Sequence, residues 1–277
     1  MEPGDPEDWQ AYPPPHGPSY TRSREPDEAR GYGEHYSKGH GSYDIERQVS
    51  QFAFDSKSVR AAFVRKVFSI VTAMILVVIV MVTPAVVQDD IRMFMIENRW
   101  VYMIALVLFF CSYIILVCCQ GVARSFPLNL CLLALFTVSC GVMLMVLCAL
   151  VPPHTVLLAL VTTTLACIAI IGFASQTKYD ITSHIFIVFV ATIAVFIFGL
   201  ILAVMSFFIY IKALHVIFSA IVCVLFMVWL AIDTQMIIGG KRYEISPEEY
   251  IFAALMLFID IYEIFITLLS LFNAANN

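Results

Sequence analysis

The stretch "FAALMLFIDIYEIFITLLSLF" runs from Phe252 to Phe272. Nearly every side chain in it would dissolve in a lipid tail, and its length matches the roughly 20 residues a helix needs to cross bilayer hydrocarbon. Asp260 and Glu263 nevertheless sit near its middle. A carboxylate there costs about 3 kcal/mol or more, and such groups generally face protein or a water-filled cavity on an ion or proton path. What that pair of acids is for decides how the rest of the chain is read.

Six further apolar runs lie upstream: Val67–Val87, Trp100–Cys119, Leu128–Val151, His154–Phe173, His184–Phe208 and Ala213–Ile238; with Tyr250–Phe272 they make seven. The first five contain no Asp, Glu, Lys or Arg. Continuous apolar runs rather than alternation predict helices and exclude a barrel, so the fold class is an all-α membrane protein with seven transmembrane helices. Bulk composition agrees. The chain is 61% hydrophobic and 13% charged, against about 45–50% and about 25% in soluble domains.

Short connections predict antiparallel neighbours. Pro152-Pro153 alone separates spans three and four, and little more than "IYIK" separates five and six. Between six and seven, Gly239-Gly240 stops one helix and "SPEE" starts the next, with Ser246 as N-cap and Glu249 closing a capping box. Loop bases set orientation. With the N-terminus cytoplasmic, seven (Arg60, Arg65, Lys66, Arg124, Lys178, Lys241, Arg242) lie inside and three (Arg92, Arg99, Lys212) outside. The short tail "NAANN" then lies outside. The segment "SVRAAFVRKVF" ahead of span one has the spacing of an interfacial helix.

Residues 1–50 carry ten acids, five bases and seven of the twelve prolines. With almost no aliphatic residues they cannot offset the entropy of ordering. They are expected to form a disordered, acidic, Pro-rich cytoplasmic tail, ahead of a seven-helix domain over 51–277. "PHGP" (Pro15–Pro18) fits a minimal ligand of a proline-reading domain. All eight cysteines fall in apolar runs and are expected to pack as free thiols; Cys118 and Cys119, at a helix end, are also candidates for palmitoylation. There is no P-loop, nucleophile elbow, metalloprotease helix or basic nucleic-acid patch. The expectation is a non-enzyme without cofactor or nucleic-acid partner.

Asp233, in span six, is the third acid within the spans, and no span carries a Lys or Arg. Asp260 and Glu263, three apart, share one face of span seven. Two carboxyls in one low-dielectric site cannot both ionise cheaply, so such a pair shares a proton and can act as a protonation switch. When both are charged they attract a hard cation such as calcium. Spacing alone leaves two readings open for Asp233: it reaches interfacial water near the glycine stop, or it meets Asp260. Glu263 is a companion acid, a third cation ligand or a protonated packing residue. Trp229, one turn before Asp233, either walls the site or anchors to lipid, and Gln235 is a further candidate for lining a path.

Beyond these residues, "CCQGVARSFPLN" (Cys118–Asn129), "GFASQTKYDIT" (Gly172–Thr182) and "AIDTQMIIGGKRYEISPEEYIFAALMLFIDI" (Ala231–Ile261) resemble the Bax-inhibitor motif family of transmembrane proteins, in its Lifeguard branch. The resemblance runs from about Val59 to Phe272. It implies a bundle with the seventh helix central and a pair of aspartates, here Asp233 and Asp260, in a pH-sensitive calcium-leak pathway. Calcium is then the transported species, passing from an intracellular store, with endoplasmic reticulum or Golgi as the implied location. It also implies suppression of apoptosis, through lowered store calcium or through binding of apoptotic regulators or receptor proteins. Glu263 departs from the pattern, since relatives usually carry an amide there. Two other functions fit the same residues: an antiapoptotic interaction protein without transport, and a proton/calcium exchanger.

Overall fold

The computed structural model describes residues 40–276 apart from Tyr210, with side chains from Lys57 onward apart from Gln120 and Ala123. Nine α-helices occur among these residues: α1 (His40–Val87), α2 (Asp89–Glu97), α3 (Arg99–Cys118), α4 (Gln120–Ala123), α5 (Leu128–Ala149), α6 (Pro153–Gln176), α7 (Ile185–Ser206), α8 (Lys212–Ile238) and α9 (Tyr250–Asn276). Two single 3₁₀ turns, Thr182–His184 and Pro247–Glu249, lead into α7 and α9. All seven apolar stretches are helical and long enough to cross a membrane.

The chain divides into two units, Met1–Ser50 and Gln51–Asn277. Most of the expected disordered tail, including "PHGP", lies outside the described residues. Residues 40–50 are an exception, for α1 already begins at His40. No Gly or Pro occurs between Tyr43 and Pro84, so nothing in the chain interrupts this helix once it has formed. The segment expected as an interfacial helix is the same helix continued into the first span, and its Phe63 is buried in protein.

The second unit is organised around α9. Of its most apolar stretch 67% is buried, against 6% to 50% in the other spans, and a helix apolar all round belongs inside a bundle. One face of α9, with Leu255, Phe258, Tyr262 and Phe265, packs on Val78 of α1, Leu116 of α3, and Phe136 and Leu144 of α5. The other, with Ala254, Leu257, Ile264 and Leu268, packs on Val67 and Val71 of α1, Cys167 of α6, and Leu230 and Ile237 of α8. Lipid is as apolar as leucine, so this contact depends on close van der Waals fit. Fully buried Ala253 and Ala254 suit a close approach, and α8 packs extensively on α9.

The structure departs from the sequence reading, or adds to it, in four places. Spans three and four are joined by Pro152-Pro153 but do not lie along each other. α5 packs on α3, and α6 packs on α8 and α9. Pro152 (φ −58°, ψ 140°) holds an extended backbone that redirects the chain instead of reversing it. Second, the loop after span one contains α2, whose Arg92 Nε donates to Ala149 O at the end of α5 (2.8 Å). Third, α9 continues through "NAAN" to Asn276, whose amide donates to Thr155 Oγ1 (3.0 Å). Fourth, only Cys140, Cys148, Cys167 and Cys223 are buried; Cys111, Cys118, Cys119 and Cys131 are exposed on the bundle's outer surface.

Candidate functional site

Asp233 lies five residues before the end of α8, and Asp260 ten residues into α9. At about 1.5 Å per residue they are roughly 8 Å and 15 Å from those ends. They meet nonetheless. Their carboxyl groups are within hydrogen-bonding reach of each other, and both residues are almost wholly buried. The loop between the helices takes up the offset. Gly239 (φ 79°) and Gly240 (φ 75°) turn the chain through left-handed backbone that a side chain would strain. Ile245 N–H then bonds back to Met236 O (3.1 Å).

No cation neutralises the pair. Among the described residues the ion pairs are Arg60–Glu244 (3.0 Å) and Arg124–Glu249 (2.8 Å), and neither involves an intramembrane acid. Asp233 Oδ1 and Asp260 Oδ2 are buried without a hydrogen-bond donor from the rest of the described protein. Two carboxylates offer each other only acceptors, whereas one proton between them makes a donor–acceptor pair. The arrangement is thus suited to holding a single proton.

The surroundings come from three helices. Cys167 of α6 lies within electrostatic reach of Asp260. One turn earlier on α6, buried Thr163 leaves its hydroxyl unpartnered, as does Thr234 beside Asp233. Spacing arguments missed these groups. Their one signal was polarity in the run "TTTLAC" (Thr162–Cys167) inside an otherwise apolar span. Glu263 is half-buried and within electrostatic reach of both Asp260 and Cys140 of α5. Among the described residues, no three His, Cys, Asp or Glu side chains are grouped to hold a metal ion. Glu263 therefore does not complete a three-acid cage in this arrangement. Two carboxyls supply fewer than the six to eight oxygens calcium prefers.

The other sequence-derived candidates have structural partners. Trp229 Nε1 donates to Thr192 Oγ1 of α7 (2.8 Å), tying two spans together. Gln235, also buried, receives Ile181 N–H at Oε1 (2.9 Å) and donates through Nε2 to Tyr179 O (2.9 Å), so it pins the α6–α7 loop to α8. Lys241 Nζ donates to the carbonyls of Thr177, Lys178 and Tyr179 (3.0–3.2 Å). Arg60 donates to Met236 O (3.1 Å), Ile238 O (3.2 Å) and Ile245 O, satisfying carbonyls at the end of α8. A Cβ at Gly239 would strike this guanidinium. The expected capping box is absent, since Ser246 makes no side-chain cap bond. Glu249 instead receives Arg124 Nη2 (2.8 Å) in a largely exposed ion pair.

In the α6–α7 loop, Asp180 accepts from Thr182 Oγ1 (2.6 Å) and Arg242 N–H (3.1 Å). The Thr182 hydroxyl is the main cause holding this carboxyl below its ordinary range.

Comparison with known proteins places this architecture. The family model described as inhibitor of apoptosis-promoting Bax1 matches residues 60–277. The chain is 34% identical to Protein lifeguard 3 of Homo sapiens over 245 residues, covering 87% of this chain and 79% of the relative. It is 30% identical to Protein lifeguard 3 of Mus musculus over 238 residues, covering 84% and 77%. Protein LIFEGUARD 4 of Arabidopsis thaliana is 28% identical over 233 residues, covering 83% and 92%. With seven membrane-length helices arranged around the last of them, the chain is a multi-pass membrane protein belonging to the Bax-inhibitor family, in its Lifeguard branch.

Proposed function

We propose that this protein is a pH-sensitive calcium leak channel of an intracellular membrane, endoplasmic reticulum or Golgi, with its N-terminus cytoplasmic. Lower store calcium then suppresses apoptosis. The observation that supports this reading is the meeting of Asp233 and Asp260 inside the bundle with no ion pair to either among the described residues. Burying two acids costs several kcal/mol, and a purely structural role would be filled more cheaply by two apolar residues.

The proton logic has a definite sign. With one proton shared, the carboxyls attract each other and α8 and α9 stay locked at this level. With the proton lost, two adjacent negative charges repel, and their oxygens become available to a divalent cation. Calcium flux therefore rises with pH through the titration of the pair.

The test is calcium efflux from liposomes containing the full chain, measured across pH. The parent shows flux that increases with pH. Asp233→Asn with Asp260→Asn loses about tenfold or more, the equivalent of about 1.4 kcal/mol or more, and its residual flux does not respond to pH. Flux and pH response equal to the parent's would refute the reading. Stoichiometric proton counterflow would make the protein an exchanger, and absence of flux from the parent itself would leave the interaction role.

A further inference from the structure

We propose that a cleft between α1, the start of α5 and the start of α9 binds the headgroup of an anionic phospholipid. This site is separate from the aspartate pair and does not rest on the calcium reading. The cleft has a volume of about 720 Å³, and its lining includes Arg65, Lys66, Tyr250, Phe126 and Leu130.

Depth is the first argument. Arg65 and Lys66 immediately precede the apolar run Val67–Val87, which puts them where hydrocarbon gives way to headgroups. They share that end of the bundle with Arg60, Arg124 and the α8–α9 loop, since Lys66 touches Tyr250, Arg124 reaches Glu249 and Arg60 reaches Ile245. In the orientation proposed above this is the cytoplasmic leaflet, where anionic lipids concentrate and basic pockets between helices take their headgroups.

Charge is the second. The ion pairs among the described residues use Arg60 and Arg124, not Arg65 or Lys66. Lys66 is held in place by a neutral group, its Nζ lying 3.2 Å from the centroid of the Tyr250 ring. The ring in turn is fixed by Asn129 Nδ2, which donates to the Tyr250 hydroxyl (3.3 Å). A cation–π contact orients the ammonium without cancelling its charge. No carboxylate lines the cleft, so it favours a phosphate whose charge no choline offsets.

The wall supplies the third. Phe126 and Leu130 line the cleft and are also exposed on the outer surface of the bundle, Phe126 by 75%. The basic floor is therefore continuous with apolar surface that can lie along the first segments of acyl chain. A free anion has no use for that surface; a lipid does.

The experiment is native mass spectrometry of the full chain released from micelles doped with phosphatidylserine or phosphatidylcholine. The parent retains phosphatidylserine preferentially. Arg65→Gln with Lys66→Gln reduces that preference about 30-fold, at about fivefold per basic residue near the surface. Ala62→Trp, which fills the cleft but keeps both bases, removes the preference too and decides the matter should the double variant fail to fold. Lys212→Gln, outside the cleft, leaves it unchanged. Parental retention by the cleft-filling variant overturns the proposal. So does equally tight binding of glycerophosphoserine or inorganic phosphate, which would make the cleft a soluble-anion site.

Discussion

At the end of α8, Arg60, Gln235 and Lys241 give hydrogen bonds to the carbonyls around them, and Gln235 spends its own carbonyl on Ile181 N–H. Two residues before Gln235, Asp233 keeps an oxygen without a donor, and so does its partner Asp260. The first region joins the α6–α7 loop, α8 and the α8–α9 loop into one structure. The second leaves acids in the bundle whose mutual contact depends on a proton. A buried polar group without a partner costs roughly 1–3 kcal/mol, so the contrast separates polarity that holds the fold from polarity kept for another purpose.

Substitutions can break this contrast. The largest effect is expected at the pair itself: Asp233→Asn with Asp260→Asn abolishes the pH response of calcium flux but does not lower the melting temperature in detergent, because two amides can donate to and accept from each other. A large fall in melting temperature with intact pH response would reverse the assignment of the two regions. Next, Arg60→Met removes a donor from three carbonyls, of which Met236 O keeps Ile245 N–H, and is expected to cost about 2 kcal/mol or more, read as a lower midpoint of thermal or denaturant unfolding.

Gln235→Leu is expected to cost about 1–3 kcal/mol by orphaning Ile181 N–H, while Tyr179 O keeps Lys241 Nζ. Its pH response of flux should match the parent's; a flattened profile would restore Gln235 to the pathway. Glu263→Asn is expected to keep calcium flux, and a pH profile identical to the parent's would make Glu263 a packing residue. The smallest effect concerns Asp180. Its carboxyl is held below the ordinary range mainly by Thr182, so the stabilisation it brings is complete above the unfolded-state value, about 3.9, and is lost as pH falls through the lower folded value. Hydrogen exchange in residues 177–184 should therefore quicken in the parent only below about pH 4, and Asp180→Asn should remove that acid step.

Much of the fold was legible because its signals are local. Seven long apolar runs have no other stable form in a bilayer, whereas the central place of the seventh was implied only by the family resemblance. Arg60 shows where legibility stopped. By sequence it is one loop base among seven. Yet it sits in register with Phe63, Val67 and Val71, the buried stripe of α1, and that periodicity was the available sign that it faces protein. Glu249 failed differently, since a capping box is a short-range pattern and its carboxylate pairs instead with Arg124, 125 residues away. Cys167 gave almost no signal, because its nearness to Asp260 depends on how α6 packs against α9.

By itself the sequence determined a seven-span helical membrane protein, the identity of its three intramembrane acids, and the motifs that tie it to its family. These follow from hydrophobicity and spacing within single segments, where neighbours along the chain are neighbours in space. Only the tertiary structure decided that Asp233 meets Asp260, that α5 and α6 part at Pro152, and that Arg60 satisfies the end of α8. Each of these depends on the relative depth and rotation of separate helices, which are set by loops and by packing between residues far apart in the chain.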